Sequence, residues 1–160
     1  MSIKIIAVGK IRDKNITACI SEYEKRLSGF CDFEIIETNE QRFGTDNASQ
    51  AEIESALNKE SVDILKKIPP RSHVIALCVE GRQTDSLGFS KLITDCALNG
   101  ISCIAFIIGS SYGLANAVKS RADMKLSFSA MTFPHGLMRL ILCEQIFRAF
   151  KISTGETYHK

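Results

Sequence analysis

IAFIIGSSYGLA, at residues 104–115, joins a short apolar run to the start of a helical pattern through a turn that contains two glycines. Gly109 stands at the end of the apolar run and Gly113 just before the helix, and at both positions the missing side chain lets the backbone approach a ligand closely. In parallel α/β proteins, ligands bind at such strand ends. A glycine turn between a strand and a helix is also common as plain structure, so this stretch alone leaves its role open.

The rest of the chain repeats this alternation of strand and helix. Strands are predicted at 3–8, 33–36, 74–79 and 103–108, and helices at 16–28, 49–67 and 86–99. The third helix has its own end signals, because Asp85 and Ser86 can cap its start and Asn99-Gly100 can end it in left-handed backbone. We therefore predict an α/β fold with a mainly parallel sheet and helices on both of its faces, built as one domain over residues 1–160.

Composition limits the location and the partners of the protein. The chain has 160 residues, 45% of them hydrophobic, with a formal net charge of +2 and a pI near 8.2. No signal-peptide pattern is present and no apolar run approaches the roughly 18 residues that cross a bilayer, so we expect a cytoplasmic protein without a membrane partner. The charge is well below that of proteins that grip naked nucleic acid, so we expect no DNA partner. An RNA substrate would have to be recognised by its shape or through a partner already assembled around it.

Six cysteines, at positions 19, 31, 78, 96, 103 and 143, form no Cys-x-x-Cys pair. Cys78, Cys103 and Cys143 lie inside apolar runs, where a free thiol behaves as a small buried hydrophobe in a reducing compartment. We therefore predict neither disulfides nor a bound metal.

The segment TNEQRFGTDNA, at residues 38–48, is polar, contains glycine and is predicted to be an exposed loop. About a dozen residues without secondary structure are uncommon inside a compact domain. A lid that faces the substrate and simple disorder both account for such a loop, and the sequence does not choose between them.

A second candidate site lies in MKLSFSAMTFPHGLMRLILCEQIFRAFK, at residues 124–151, where a short strand at 124–128 leads through a loop and Pro134 to a long apolar helix. The loop offers small hydroxyl groups together with flat or pliable apolar side chains, which suit an adenine ring. The hydroxyls belong to Ser127, Ser129 and Thr132, and the apolar side chains to Phe128, Met131 and Phe133. The same apolar side chains could simply seal the edge of the sheet, and residue types alone do not exclude that alternative.

Taken in order, several stretches resemble a known family along the whole chain. They are IKIIAVGKIRDK, SEYEKRL, VIALCVEG, IIGSSYGL, LSFSAMTFPH, RLILCEQIFRAFKI and the closing YHK. Together they are similar to the SPOUT superfamily, and within it to methyltransferases that modify N3 of a pseudouridine in large-subunit ribosomal RNA. Ser110 departs from the family's pattern, which usually has a second glycine there, and the departure concerns one backbone contact.

The resemblance implies a fold that periodicity does not reveal. The carboxyl-terminal segment would thread through a loop to form a trefoil knot, and the knot would hold S-adenosylmethionine (SAM). The cofactor contacts carried over from the family are Leu77, Gly109, Phe128, Ser129, Ala130, Met131, Thr132 and Phe133. In the implied reaction a base of 23S rRNA, within an assembled ribosome, attacks the methyl group of SAM directly. The protein must then align the reactants and provide for the loss of the N3 proton.

Four residues are candidates for a catalytic role in this reaction. His135, after Pro134 at the start of the last helix, can orient the base or accept its proton, although a histidine there is often only a cap. Arg139, one turn further on, can reach a phosphate or a base carbonyl, with an ordinary salt bridge as the alternative. In the family the tail lies near the active site, where Tyr158 and His159 can stack on an extruded base and hydrogen-bond its edge.

The last helix is apolar over most of its circumference, apart from residues such as Glu144 and Arg148, whose spacing predicts a structural ion pair. Such a helix is either buried centrally in one subunit or packed partly on a second one. SPOUT enzymes are homodimers with active sites at the subunit interface, which favours the second alternative. Two rival functions stay open: a SPOUT methyltransferase that acts on transfer RNA, and a non-catalytic, ribosome-associated nucleotide-binding factor.

Overall fold

The computed structural model describes residues 1–41, 43, 48–156 and 158, which form one sheet flanked by helices. The elements in chain order are β1 (Ser2–Val8), α1 (Lys14–Leu27), β2 (Asp32–Thr38), α2 (Gln50–Lys67), β3 (His73–Gln83), α3 (Ser86–Leu98), β4 (Cys103–Ile108), α4 (Asn116–Arg121), β5 (Met124–Ser127) and α5 (His135–Ser153). Every strand and helix predicted from periodicity is present, and the α/β fold class is confirmed.

The five strands of the sheet are all parallel and lie in the order β2-β1-β4-β3-β5. Strand β1 lies between two neighbours, with Ile5 paired to Ile35 on one side and to Phe106 on the other. Because the strands run in the same direction, their carboxyl ends meet at one edge of the sheet, which we call the carboxyl edge. Ligands of parallel α/β proteins bind outside this edge.

Each face of the sheet has its own apolar core, because side chains alternate along a strand. In β1, Ile3, Ile5 and Ala7 belong to the larger core, to which α1, α3 and α5 contribute. Ile6 and Val8 point to the smaller core, to which α2 and α4 contribute. The prediction of helices on both faces is therefore confirmed.

Helix α5 is central in the fold. It packs against both α1 and α3 through one broad stripe of buried side chains: Arg139, Leu142, Cys143, Ile146, Phe147 and Ala149. Other apolar side chains of the helix, such as Met138, Leu140 and Phe150, are half-buried and pack against the same core. Within α5, which the structure describes in full, Leu137 is the exposed large apolar side chain, at 37%. The apolar character of the helix is thus accounted for within one subunit, so it is no longer an argument for a second subunit.

The signals read at the ends of the elements are confirmed. The Asp85 carboxylate accepts a hydrogen bond from Gly88 N–H at the start of α3, and Gly100 beyond its end has a φ of +76°. On α5, Arg148 Nη2 lies 2.6 Å from Glu144 Oε1, which is the predicted ion pair.

Strand β3 has 11 residues and is longer than predicted, because it contains a bulge. It pairs with β5 through residues 75–77 and again through Arg82 and Gln83, so residues 78–81 leave the ladder. A Cβ at Gly81 would lie 2.6 Å from the carbonyl carbon of Leu126, so the close approach of the two strands requires glycine. The bulge brings residues at the carboxyl edge out of register with the sheet.

All six cysteines are free thiols, but their burial differs from the prediction. Cys143 is buried, whereas Cys78 lies in the β3 bulge and Cys103 opens β4, and both are half-buried. In the part of the chain that the structure describes, no helix is long and apolar enough to cross a membrane. The trefoil knot stays a prediction from the resemblance.

Candidate functional site

A cleft of about 730 Å³ opens at the carboxyl edge of the sheet. Its walls are the β3 bulge, the turn after β4 and the loop after β5, with Lys119 from α4 and Met138 from α5. The volume lies within the range of about 300–1,000 Å³ that is usual for sites of small organic ligands. The cleft is therefore large enough for a cofactor of nucleoside size.

Most of the residues predicted to bind the cofactor line this cleft. They are Leu77, Gly109, Phe128, Ser129, Met131, Thr132 and Phe133, and the predicted catalytic His135 lines it with them. Ala130 is exposed and is not part of the lining. Because Leu77 lies on β3 and Gly109 directly follows the neighbouring strand β4, the sheet brings together residues that are far apart in the sequence.

The turn after β4, residues 109–113, is called the glycine turn here. Gly113 N–H donates to the carbonyl oxygen of Ser110 at 2.9 Å, and Gly113 has a φ of +89°, in the left-handed region that glycine favours. A Cβ at Gly109 would lie only 2.1 Å from the carbonyl oxygen of Gly113. Both glycines are thus required by the backbone of the turn, which itself forms one wall of the cleft.

Ser110, at the position where the family usually has glycine, contacts a buried carboxylate. Its hydroxyl donates to Glu60 Oε2 at 2.9 Å, and the backbone N–H of Gln41 donates to Glu60 Oε1 at 2.9 Å. Glu60 belongs to α2 and is only 2% exposed. Burial raises the pKa of Glu60, and the two hydrogen bonds oppose that shift. The departure from the family's pattern therefore adds a side-chain contact behind the turn.

Part of the predicted loop at 38–48 also contacts the glycine turn. Besides the bond from Gln41 to Glu60, the ring of Phe43 meets the ring of Tyr112 edge-on, with centroids 5.1 Å apart. Residues 42 and 44–47 lie outside the described residues. A lid over the cleft stays a prediction.

The loop after β5 is held in a compact shape by its own hydrogen bonds. Ser127 Oγ donates to the carbonyl oxygen of Ser129 at 2.9 Å, and Met131 N–H donates to Ser129 Oγ at 3.0 Å. The ring of Phe128 packs edge-on against Phe89 of the larger core, at 6.1 Å. The hydroxyls of Ser127 and Ser129 thus hold the backbone of the loop, while Phe128 between them packs on the core.

Two charged residues of the cleft were missed by sequence reasoning. Glu80, in the β3 bulge, forms an ion pair with Lys119 of α4. The hydrogen bond from Lys119 is the main reason why the pKa of Glu80 is lowered. Gly81 was the available signal, because a glycine inside a strand pattern indicates a bulge that redirects its neighbours.

The thiol of Cys78 is the remaining reactive group of the β3 bulge that lines the cleft. Burial is the largest cause that raises the pKa of Cys78, and the charge of Glu80 adds to it. A thiol with a raised pKa is a poor nucleophile near neutral pH. The cleft therefore does not favour a covalent bond between this thiol and a substrate.

His135 is half-buried at the first position of α5 and faces the cleft. The helix begins after Pro134 without a side-chain capping bond, so the alternative that this histidine is a cap has no hydrogen bond to support it. Its ring lies in the same cleft as Thr132 and Ser129, where a second reactant could meet it.

Arg139 does not line the cleft. The prediction that it contacts a phosphate or a base carbonyl of the RNA is wrong for this position, because the side chain is buried. The side chain is fully buried, with Nη1 2.9 Å from Glu37 Oε1 and Nη2 donating to the carbonyl oxygens of Val8 and Gly9 at 2.7 and 2.6 Å. Burial lowers the pKa of Arg139, and Glu37 opposes that shift. The salt bridge that the sequence left as the alternative is what forms, and it joins α5 to the ends of β1 and β2.

Tyr158 packs on its own subunit, away from the cleft. Its hydroxyl donates to Glu144 Oε1 at 3.3 Å, and its ring lies edge-on to Phe147, with centroids 5.2 Å apart. Phe147 is twelve residues beyond His135 on α5, which is about 18 Å at the rise of a helix. Tyr158 therefore cannot serve the cleft of its own subunit from this position. His159 lies outside the described residues.

The make-up of the cleft fits a nucleoside joined to an amino acid. Leu77, Phe128 and Met138 offer apolar surface for a flat ring, and the backbone of the glycine turn offers polar groups beside it. Glu80 and Lys119 carry opposite charges at the same opening, as the ammonium and carboxylate groups of an amino acid require. The residues present thus suit SAM.

Comparison with known proteins assigns the whole chain to one family. The family described as "Predicted SPOUT methyltransferase" matches residues 1–159. Curated relatives named "Ribosomal RNA large subunit methyltransferase H" are 50% identical in Streptococcus pyogenes serotype M5 and 51% identical in Streptococcus uberis. In both cases the alignment covers 160 residues, all of this chain and all of the relative.

Solved structures of low sequence identity share the fold. A probable methyltransferase from Bordetella pertussis has a TM-score of 0.56 at 14% identity, over 92% of this chain and 95% of its own. The tRNA (m1G37) methyltransferase from Aquifex aeolicus has a TM-score of 0.53 at 16% identity, over 92% of this chain and 70% of its own. At such identities the likeness concerns the fold and not the substrate.

Proposed function

Because this chain belongs to the SPOUT methyltransferase family, we propose that it methylates N3 of a pseudouridine in the 23S rRNA of assembled bacterial ribosomes, with SAM as the methyl donor. The family and the full-length identity of about 50% to large-subunit RNA methyltransferases make it an rRNA methyltransferase. The observation that carries the finer proposal is the cleft, where His135 shares one cavity with seven of the eight residues expected to bind SAM.

For this reaction the protein must align the two reactants and accept one proton. SAM supplies a methyl group on a positively charged sulfur, so no covalent enzyme intermediate is needed. The glycine turn and the loop after β5 would hold the donor. Alignment of the two reactants lowers the activation barrier by several kcal/mol. His135 would orient the base and receive the N3 proton, a role for which histidine is well suited near neutral pH.

We further propose that the active form is a homodimer. Exposed apolar side chains surround the cleft, with Val79 47%, Tyr112 45% and Met131 71% exposed. Such a cluster around a concave site is typical of a surface that meets another chain. A second subunit there would also bring its own carboxyl-terminal tail towards the cleft. A tail from the partner is needed because the tail of the same subunit packs on α5 about 18 Å from His135.

One experiment separates this function from its rivals. The purified protein is incubated with isotope-labelled SAM and either ribosomes or transfer RNA, and the nucleosides are then analysed by mass spectrometry. We expect a labelled methyl group on a pseudouridine of the large-subunit RNA. A product found only on transfer RNA would instead show that the enzyme is a transfer RNA methyltransferase. No product on either RNA would favour the non-catalytic factor.

A further inference from the structure

Three exposed cations lie close together in one short segment of the chain. The segment KIRDK, residues 10–14, runs from the connection after β1 to the first residue of α1 at the carboxyl edge, and we call it the basic loop. Lys10, Arg12 and Lys14 are all exposed. Against the described residues, none of their side chains makes a hydrogen bond or an ion pair. Three free positive charges within five residues form a strong local field in a chain whose net charge is only +2.

The backbone of the basic loop is fixed, so the three charges are held in place. Gly9 N–H donates to the carbonyl oxygen of Thr38 at 2.9 Å where the loop begins. In the middle of the loop, Ile11 is half-buried and packs against the larger core. At the far end, Asp13 accepts hydrogen bonds from Asn15 N–H and from the next backbone N–H of α1. Its negative charge therefore serves the helix start.

The basic loop lies against the same helix turn that carries His135. A Cβ at Gly136 would be 3.7 Å from Cγ1 of Ile11, so the loop touches the first turn of α5. Ile11 points inwards, and the cations on either side of it, Lys10 and Arg12, are exposed. The loop therefore forms a cationic rim beside the cleft, on the side of His135.

The carboxylates near this rim do not cancel its charge. Glu37 is engaged by the buried Arg139, which it neutralises. Glu40 is half-buried, and its Oε2 would lie 3.2 Å from a Cβ at Gly9. Asp13 and Glu40 are thus two carboxylates near three cations, which leaves a surplus of one positive charge.

We infer that Lys10, Arg12 and Lys14 bind phosphate groups of the RNA strand on either side of the nucleotide that enters the cleft. This inference rests on the proposed function and specifies where its substrate binds. Lysine and arginine contact phosphates without regard to sequence, so such contacts fix the register of the strand and leave selection of the base to the cleft. A rim of only three contacts also agrees with a chain too weakly basic to hold free RNA by charge alone.

The experiment compares two triple variants with the same change of charge. K10Q/R12Q/K14Q removes the cations of the basic loop. The matched control, K25Q/K66Q/K67Q, removes three exposed lysines in the last turns of α1 and α2, at the opposite edge of the sheet. For each protein, KM for ribosomes is measured at several salt concentrations, SAM affinity by calorimetry, and stability by thermal unfolding.

For the basic-loop variant we expect KM for ribosomes to rise roughly tenfold near 0.1 M salt, and the slope of log KM against log salt to fall by about two to three units. SAM affinity and stability should match those of the parent protein, and the control should match it in every measurement. Equal KM values and equal slopes for the two variants would overturn the inference. If the parent protein still forms product in that case, the proposed function stands. Absence of product with the parent protein overturns both.

Discussion

The hydroxyl of Ser110 donates a hydrogen bond to the carboxylate of Glu60, and this bond ties the glycine turn to helix α2. The other oxygen of the same carboxylate accepts from Gln41 N–H, so one buried side chain holds two segments at the carboxyl edge. A buried carboxylate is costly unless it is hydrogen-bonded. The serine at this position therefore completes the environment of Glu60, and Glu60 in turn positions the turn.

Replacement of Glu60 tests this positioning role. In Glu60→Gln the amide can still accept from Gln41 N–H and donate to Ser110 Oγ, so the free energy of unfolding should change by less than about 1 kcal/mol. In Glu60→Ala both donors lose their acceptor, which should cost about 2–5 kcal/mol. Chemical denaturation measures the stability, and calorimetry should show weaker SAM binding for Glu60→Ala, recovered in Glu60→Gln. Unchanged SAM affinity in folded Glu60→Ala would show that the contact is structural only.

The raised pKa of Glu60 predicts a specific dependence of stability on pH. Since the folded protein binds this proton more readily than the unfolded chain, the contribution of Glu60 to the free energy of unfolding decreases as pH rises from near 4.5 through the folded pKa. Burial is the main cause, and the negative charge of Glu40 adds to it. The stability of the parent protein minus that of Glu60→Gln should therefore fall across this window and become flat above it. A difference that rises with pH would contradict the assignment.

Glycine turns and apolar runs predicted most of the fold, because they depend on local backbone and on alternation of side chains. Gly109 and the loop at 128–133 could be found in this way, and the family resemblance added Leu77. The β3 bulge could not be read from periodicity, since it depends on how closely Gly81 approaches Leu126 on another strand. Burial of Arg139 was equally hidden, because its partners on β2 and β1 are 102 and 131 residues away in the sequence.

Gly109→Ala should destroy the glycine turn. The added Cβ would meet the carbonyl oxygen of Gly113 at 2.1 Å, a backbone atom that cannot move without opening the turn. We expect SAM affinity to fall by at least about tenfold, or 1.4 kcal/mol. Gly100→Ala is the matched control, because its φ of +76° strains alanine by about 1–2 kcal/mol although no atom lies within 4 Å. Normal SAM affinity in Gly109→Ala would remove the turn from the cofactor site.

His135→Ala should separate catalysis from cofactor binding. If the imidazole orients the base and takes its proton, methyl transfer at saturating SAM should slow by roughly 10²–10⁴-fold, while SAM affinity stays nearly unchanged. His73→Ala is a suitable control, since this histidine opens β3 at the opposite edge of the sheet, near Asp123. Single-turnover kinetics and calorimetry supply the two readouts. Equal losses in transfer and in SAM binding would instead point to a structural histidine.

A mixed dimer can show whether the tail acts on the cleft of the partner. One subunit carries His135→Ala, and the other ends at Tyr158, so that it lacks His159 and Lys160 but keeps the packing of Tyr158 on Phe147. Both homodimers should be nearly inactive.

If tails act between subunits, the truncated subunit keeps an intact cleft and receives the tail of its partner. A heterodimer isolated with two different affinity tags should then recover about half of the parent activity, because one of its two sites is complete. If each tail served its own cleft, every site in the heterodimer would lack either His135 or the tail, and no activity would return. A fully active truncated homodimer would show that the last two residues have no part in transfer. Because Tyr158 is anchored about 18 Å along α5 from His135, we expect the recovery.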